Sequence, residues 1–515
     1  MFERNLSIVN PIGMISETER IAVQLYLDSN EGQVMLDFLE TNISEWLRSK
    51  KYNDIRTGQR YYENDNDINT RERKVIGRNG EMVAAPYLAN NKLSHPYFRK
   101  LTKQKIGYLL ANPFTVKSSN EEFQTALGNY LTKAFYRLVK NTAQDAIVGS
   151  IGWMQPYYDE NQELCFKRIP NTEVIPFWKD IDHTELEAAI RVYDAEVYRN
   201  SGKDIVQHVQ YFTPERVYNF IRDENGLHSN QDEPFETNFS LAEEVEMTDP
   251  ETGETAMGTV QNGAMWERIP FIPFKYNAEE DSLLKFIKPL IDDYDRRTSD
   301  LSNVLEDEPD RIKVVKDYDG TDKGEFMYNL SRYRTLFLRG SGDISTLDTS
   351  ISADALENHL TRTRRDIFEC GGGVDTQNKD LGNASGVALK FVYSDLDSDC
   401  RDFGAEIAWS LEQWAWFVKQ DLLLKTGQGY EDADISIIFN TDITINESET
   451  IANIKNSVGI VSEATLRERH PYVEDAMDEE ARLKQEQQEA LERVEQELEI
   501  QQKASAAVPT NTSAQ

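Results

Sequence analysis

GGGVDTQNKDLGNASGVALKFVYSDLD, residues 371–397, decides how this chain is read. Three glycines stop whatever precedes them, a run of small and polar residues follows, and a helical pattern resumes at about Ser385. Connections between packed helices usually take about 2–8 residues, and a longer one this rich in Gly, Asn, Asp and Gln has little to offer a core. The stretch is expected to face water or a ligand.

Upstream of the glycines, Leu356, Leu360, Thr363 and Ile367 recur at helical spacing from Ser352, a good N-cap, to Gly371. Before that lies KPLIDDYDRRTSDLSNVLEDEP (288–309), with Pro289 at the expected first helical position and Pro309 beyond the end. Leu290, Tyr294, Leu301, Val304 and Leu305 form its expected stripe. Between the two rods, RIKVVKDYDGTDKGEFM (311–327) and YRTLFLRGSGDISTLD (333–348) read as a β module with turns at Asp319-Gly320 and Gly340-Ser341-Gly342. The chain goes out along one helix, folds a tip and returns along another. That is a stalk with a head.

Downstream, Leu389, Val392, Leu396, Cys400, Phe403, Ile407, Leu411, Trp414 and Val418 keep spacings of three and four. The helix expected from Ser385 to about Lys425 would run about 60 Å, long enough to be a spine. DISIIFN (434–440) reads as a strand, Asn446 with Glu449 as a capping box, 474–503 as a Gln/Glu-rich helical segment, and AAVPTNTSAQ (506–515) as a disordered tail. Ahead of the stalk, helices are expected as a pair within 17–50, over KLSHPYFRKLTKQKIGYLLA (92–111), and over 121–150. SIGWMQPYYDENQELCFKRI (150–169) reads as a hairpin, as does IVQHVQYFTPERVYNFIRDENGLH (205–228) around Glu224-Asn225-Gly226; the acidic Glu243–Glu254 reads as an exposed loop or hairpin tip. Residues 1–278 thus form an α+β body.

Composition narrows the function. At 515 residues and 39% hydrophobic the chain is globular and too long for one core, so several domains are expected. It holds no run of eighteen apolar residues, and MFERNLSIVNPIGM does not read as a secretory signal, so no membrane association is expected. Cys165, Cys370 and Cys400 are odd in number and far apart, which argues against a disulfide framework or a zinc site. The formal charge of −34 excludes a broad basic surface that grips DNA, though not a protein that DNA slides past.

Chemistry is sparse. GSGD at 340 and GGGVD at 371 lack the Lys-Ser/Thr of a phosphate loop, and the six histidines are scattered. Asp292, Asp293 and Asp295, Asp395, Asp397 and Asp399, and Glu306 to Glu308 could in principle hold Mg²⁺. The plainer reading is a solvated face for Asp395 and Asp399, and i,i+3/i+4 pairing of Asp292 and Asp293 with Arg296 and Arg297. Arg362, Arg364 and Arg365 on the second rod could meet carboxylates of a neighbouring subunit or touch nucleic acid. No enzyme and no cofactor are expected; the alternatives are a metal-dependent nuclease or phosphotransferase using the Asp clusters, and a coiled-coil scaffold.

The ordered series YYENDNDINTRER (61–73), NNKLSHPYFRKLTKQKIGYLLANPF (90–114), GSIGWMQPYYDENQEL, IPNTEVIPFWKD, KPLIDDYDRRTSDLSNVLED, LGNASGVALKFVYSDLD and IIFNTDITINESETI resembles the tailed-phage portal proteins of the SPP1 Gp6-like family over about residues 20–480. The resemblance implies a multidomain portal fold assembled as a ring of twelve or thirteen subunits at one capsid vertex of the virion, reached from the host cytoplasm during assembly. It implies a wing over 1–278, a stem helix over 279–307, a clip over 308–351, a second stem helix over 352–373, and a tunnel loop over 374–386. Spine helix and wing strand would occupy 387–446, crown and acidic helix 447–503, and the tail 504–515. By the same resemblance Asp375, Gln377, Asn378, Lys379, Asp380 and Asn383 would face double-stranded DNA in the channel. The clip, with Lys313, Lys316, Arg332, Arg334 and Arg339, would contact the terminase large subunit and the head-completion adaptor. Major capsid and scaffolding proteins complete the implied partners.

Overall fold

The computed structural model describes residues 26, 29–77, 79–86, 88–199, 202–224, 226–230, 233–248, 255–306, 312–317, 328, 332–333, 335–338, 344–347, 353–377, 391–441, 447–470, 472–473 and 479–493. The chain divides into two compact units, Met1–Asp375 with Tyr393–Thr441, and Thr376–Val392 with Asp442–Gln515.

In the first unit, α1 (Asn30–Arg48) and α2 (Lys50–Tyr62) are separated by Ser49, which ends one helix and caps the next: its Oγ accepts from the Tyr52 N–H at 3.1 Å. Of the pair expected within 17–50, α1 is one helix; most residues before it lie outside the described ones. α3 (Tyr97–Leu110) follows, then α4 (Glu121–Leu127) and α5 (Lys133–Gly149), so the single rod expected over 121–150 is two. Thr132 caps α5 by accepting from Phe135 N–H, which restarts the helix after Gly128.

The hairpin expected at 150–169 forms as Ile151–Tyr158 against Leu164–Ile169, with Ile272–Lys275 added on its other edge. Val174–Trp178, Leu186–Arg199, Gly202–Phe212, Val217–Asp223 and Gly226–Ser229 form an antiparallel meander, with Phe235–Glu236 also paired to the fourth strand. α1 covers this sheet through Leu39 and Ile43, packed with Ile175, Ile190, Val209 and Phe220. Of the two forms expected for the acidic stretch it takes the hairpin: Phe239–Thr248 pairs with Thr255–Ala264 over ten residues, with Leu241, Val245 and Met247 at strand spacing.

α6 runs Leu283–Glu306, starting before the expected Lys288 and carrying Pro289 inside it. Leu283, Leu284 and Ile287 are buried in the main core, which outweighs the roughly 3 kcal/mol a proline costs in a helix interior. Pro289 is exposed, where water can satisfy the carbonyl it leaves without a donor. After α6, Ile312–Asp317 lies between Thr335–Leu338, parallel to it, and Ile344–Leu347, antiparallel, so the tip between the rods is a small sheet. α7 (Ala353–Cys370) returns and packs on α6, with Thr363 and Ile367 of the expected stripe buried.

α8 (Ser394–Thr426) is the spine, 33 residues long. A turn at Tyr393 separates it from Phe391 and Val392, so the unbroken rod expected from Ser385 is shorter. Its Phe403, Ile407, Leu411, Trp414 and Val418 form the centre of the largest core with α3, α5 and the 151–158 sheet. Ile435–Ile438 pairs antiparallel with Thr115–Ser118. In the second unit, α9 (Glu447–Asn456), α10 (Glu463–Glu468) and a helix over 479–493 are described. Ser352, Asn446, the turns at Asp319-Gly320 and Gly340–Gly342, and the tail lie outside the described residues. Among the described residues no helix is long and apolar enough to cross a membrane.

Candidate functional site: the stem and the root of the 374–386 loop

The glycines do more than stop α7. The Gly373 N–H donates to the Phe368 carbonyl at 2.8 Å and the Gly372 N–H to that of Glu369, while Gly372 takes φ +53°, the left-handed turn that glycine adopts freely. A Cβ on Gly373 would collide with Cδ2 of buried Leu101 on α3, and one on Gly371 would come within 2.7 Å of both Leu101 Cδ1 and the Ile367 carbonyl oxygen. The turn is pressed against α3.

Helix α3 then holds the chain after the turn. Gln104 acts as a one-residue strand partner: its Nε2 donates to the Val374 carbonyl at 2.7 Å and its Oε1 accepts from the Val374 N–H at 3.1 Å. Lys105, 0% exposed, donates from Nζ to the Gly372 carbonyl at 3.0 Å and pairs with Asp399 on α8. Tyr276 Oη also donates to Asp399. Burial raises the Tyr276 hydroxyl far above its usual value, with the Asp399 charge adding to it, so it stays a donor. Next along α8, burial pushes the Cys400 thiol up to about 12.

Asp375, expected to face the channel, is tied to Arg364 of α7 by two bonds, Nε–Oδ2 at 2.7 Å and Nη2–Oδ1 at 2.8 Å. The Arg364 guanidinium also lies beside the rings of Tyr97 and Phe368. The first residues of the polar stretch are thus packed, Val374 among them, and the stretch expected to have no place in a core begins inside one. Thr376 and Gln377 are exposed; Asn378, Lys379, Asp380 and Asn383 lie outside the described residues.

The stem carries two further sets of contacts. On α6, Asp293 is bound by Arg296 at 2.6 Å, by Arg297 at 3.4 Å, and across to α7 by His359 Nε2 at 2.8 Å. Burial pushes the Asp293 carboxyl up, but His359 and the two arginines outweigh it and hold the group below its ordinary value. Asp292 pairs instead with Lys288 and accepts from Tyr61 Oη. Arg362 and Arg365 are exposed on α7.

The second set corrects the expected stripe in part: Leu290 and Tyr294 pack against the main core, but its far end does not. The buried face of α6 is Leu283, Ile287, Ile291, Asp295, Ser299 and Asn303, apolar in its first half and polar in its second, while Val304 and Leu305 are exposed. The polar half is met by the extended chain before α3. The backbone N–H groups of His95, Leu93 and Asn91 donate to Asp295 Oδ1 at 3.0 Å, Ser299 Oγ at 2.9 Å and Asn303 Oδ1 at 2.6 Å. His95 Nδ1 and Asn66 Nδ2 also donate to Asp295. This explains why α3 begins at Tyr97 and not at residue 92: the preceding amides are already engaged.

In the tip, Lys313 and Lys316 lie on the central strand and Arg332 beside Tyr328, while Arg334 and Arg339 lie outside the described residues. Asp399, read from sequence as a solvated surface group, is the counter-ion of a buried lysine. Among the described residues no group of three His, Cys, Asp or Glu side chains is placed to hold a metal. Sequence reasoning missed Gln104, Lys105, His95, Ser299 and Asn303. For Lys105 a signal existed, since it interrupts the inward series Phe98, Leu101, Thr102 and Leu109 at helical spacing.

α6 and α7 pack on one another with a small sheet between them in sequence, and a glycine turn ends α7. The family model described as "Phage portal protein, SPP1 Gp6-like" matches residues 47–493, and the chain belongs to that family. The portal protein of Bacillus phage SPP1 is 28% identical over 434 residues, covering 83% of this chain and 82% of the relative. The portal protein of Clostridium phage phiCD119 is 26% identical over 440 residues, covering 82% of this chain and 90% of the relative.

Proposed function

We propose that the protein is the portal of a tailed phage, a non-enzymatic ring of twelve or thirteen copies at one capsid vertex, through which double-stranded DNA enters during packaging and leaves at ejection. The observation that carries this reading is the family match over residues 47–493, which spans every segment from α2 to the acidic C-terminal helix. In this reading 1–278 with the spine forms the wing, α6 and α7 the stem, 308–351 the clip that docks the terminase large subunit and later the head-completion adaptor, and 447–503 the crown.

Electrostatics support a conduit. At −34 per chain, a ring of twelve carries a formal charge on the order of −400, so its wall repels phosphate and DNA can slide. The loop touches DNA through uncharged donors and acceptors, Gln377, Asn378 and Asn383, and through Lys379, whose phosphate contact is weakened by neighbouring Asp380. Asp375, engaged by Arg364, belongs to the loop's anchor. Exposed Arg362, Arg365, Arg296 and Arg297 are the stem's candidates for contacts with the next subunit or with DNA. Lys313, Lys316, Arg332, Arg334 and Arg339 are the clip's candidates for the motor and adaptor.

Light scattering with negative-stain imaging tests the assembly. Rings with a central hole and a mass near twelve or thirteen times 59.2 kDa are expected. A compact dimer with Mg²⁺-dependent nuclease activity would overturn the reading. Deleting 375–383 should leave rings intact and reduce the yield of filled heads; normal yields would remove the loop from the mechanism.

A further inference from the structure

We propose that Lys105 is a positioning residue for the loop, fixing the point and direction at which the chain leaves the stem. The inference concerns the geometry of residues 371–375, and it bears on DNA only in so far as the portal reading holds.

A lysine with no exposed surface needs a reason, because its charge is costly to bury and a methionine of similar length would fill the same space. The contacts supply the reason. Nζ joins two elements that are separate in sequence: it donates to the Gly372 carbonyl in the turn and pairs with Asp399 on α8. A Cβ on Gly372 would sit 3.1 Å from Nζ and 3.4 Å from Asp399 Cβ, so the glycine lets the backbone close onto the pair. Tyr276, from the segment leading into α6, donates to the same carboxylate. One cation therefore joins α3, the end of α7 and the start of the spine. Gln104 and Arg364 fix the next two residues, Val374 and Asp375. Each of the three holds a different residue of the turn, and only Lys105 also reaches the spine. A buried ion pair is weak evidence for stability, and the use of this one lies in the arrangement it fixes.

The test places a nitroxide at exposed position 377 (Gln377→Cys) in a Cys370→Ser background, in the full chain, and compares native Lys105 with Lys105→Met. The label should become about twofold more mobile in Lys105→Met while the melting temperature stays within about 3 °C. Unchanged label mobility overturns the proposal, as does a large drop in melting temperature with the label as constrained as before, since that would make Lys105 a core support only. Asp399→Asn, which leaves Lys105 its bond to Gly372 and an amide oxygen, should shift the label less than Lys105→Met; the reverse order overturns the proposal. Should Lys105→Met fail to fold, Lys105→Gln with the same label decides: a label more mobile than in the native chain supports positioning, and one as constrained as before overturns it. In phage, Lys105→Met is expected to cut filled heads about tenfold. A loosened label with undiminished filling would uphold Lys105 as a positioning residue and count against the portal reading of the loop.

Discussion

A buried carboxylate titrates upward unless a charge opposes the burial, and Asp145 on α5 has only Arg168, at 3.4 Å, to oppose it. Burial raises it to about 6 from an ordinary 3.8. Between those values the folded chain keeps a proton that the unfolded chain has lost, so Asp145 makes stability fall as pH rises from about 4 to 6 and level off above. Asp145→Asn should therefore raise stability at pH 7 by about 1–2 kcal/mol, with the gain vanishing near pH 4; paired thermal melts at the two pH values check this. Gly373 poses a steric question at the same scale. Gly373→Ala drives a methyl into Leu101 and should cost about 2 kcal/mol, part of it recovered in the Leu101→Ala background despite the cavity that change leaves. Equal losses with and without Leu101 would place the strain elsewhere.

Between elements, the polar half of α6 depends on three side-chain oxygens that receive backbone N–H groups from the segment before α3. Ser299→Ala removes only the hydroxyl and leaves the Leu93 N–H without its acceptor, at a cost of about 1–3 kcal/mol; denaturant melts give the loss, and exchange of the Leu93 amide locates it. These contacts mark where sequence reading stopped. α7, the hairpin at 151–169 and the apolar length of α8 were legible because their apolar residues recur at one period, and period survives in a single sequence. The second half of α6 was not, because Asp295, Ser299 and Asn303 look like a wet face until their distant partners are known. Pro289 misplaced the helix start because burial of Leu283, Leu284 and Ile287 outweighed a local rule. At the candidate site, the glycine turn was legible and its anchors were less so: Lys105 is a surface residue by type that its helix places inside, and Gln104 beside it is only half-buried.

For the molecule as a whole, the strong negative charge and the stem's placement of cations imply that affinity for DNA is weak and local. Purified protein is expected to show no retention of duplex DNA by gel shift at about 0.15 M salt, where nonspecific binders need many phosphate contacts to hold on; tight, salt-sensitive binding would contradict the conduit reading. Truncation after residue 470 removes the acidic Gln/Glu-rich helix and should leave ring mass lower only by the deleted residues. Loss of assembly would favour a coiled-coil scaffold instead.

The strap of residues 91–95 and the helix it lies on keep different measures. Successive rungs on the helix, Asp295, Ser299 and Asn303, advance about 6.0 Å each, whereas alternate residues of an extended chain advance about 6.6 Å. The two scales agree as a vernier does, over a short length only, and by a fourth rung they would have drifted about 2 Å, more than a hydrogen bond tolerates. The docking of an extended chain on a helix is thus self-terminating: the strap holds the second half of α6, ends where Asn91 Nδ2 donates to Oε2 of Glu306, the last residue of the helix, at 2.6 Å, and by its own geometry holds no further.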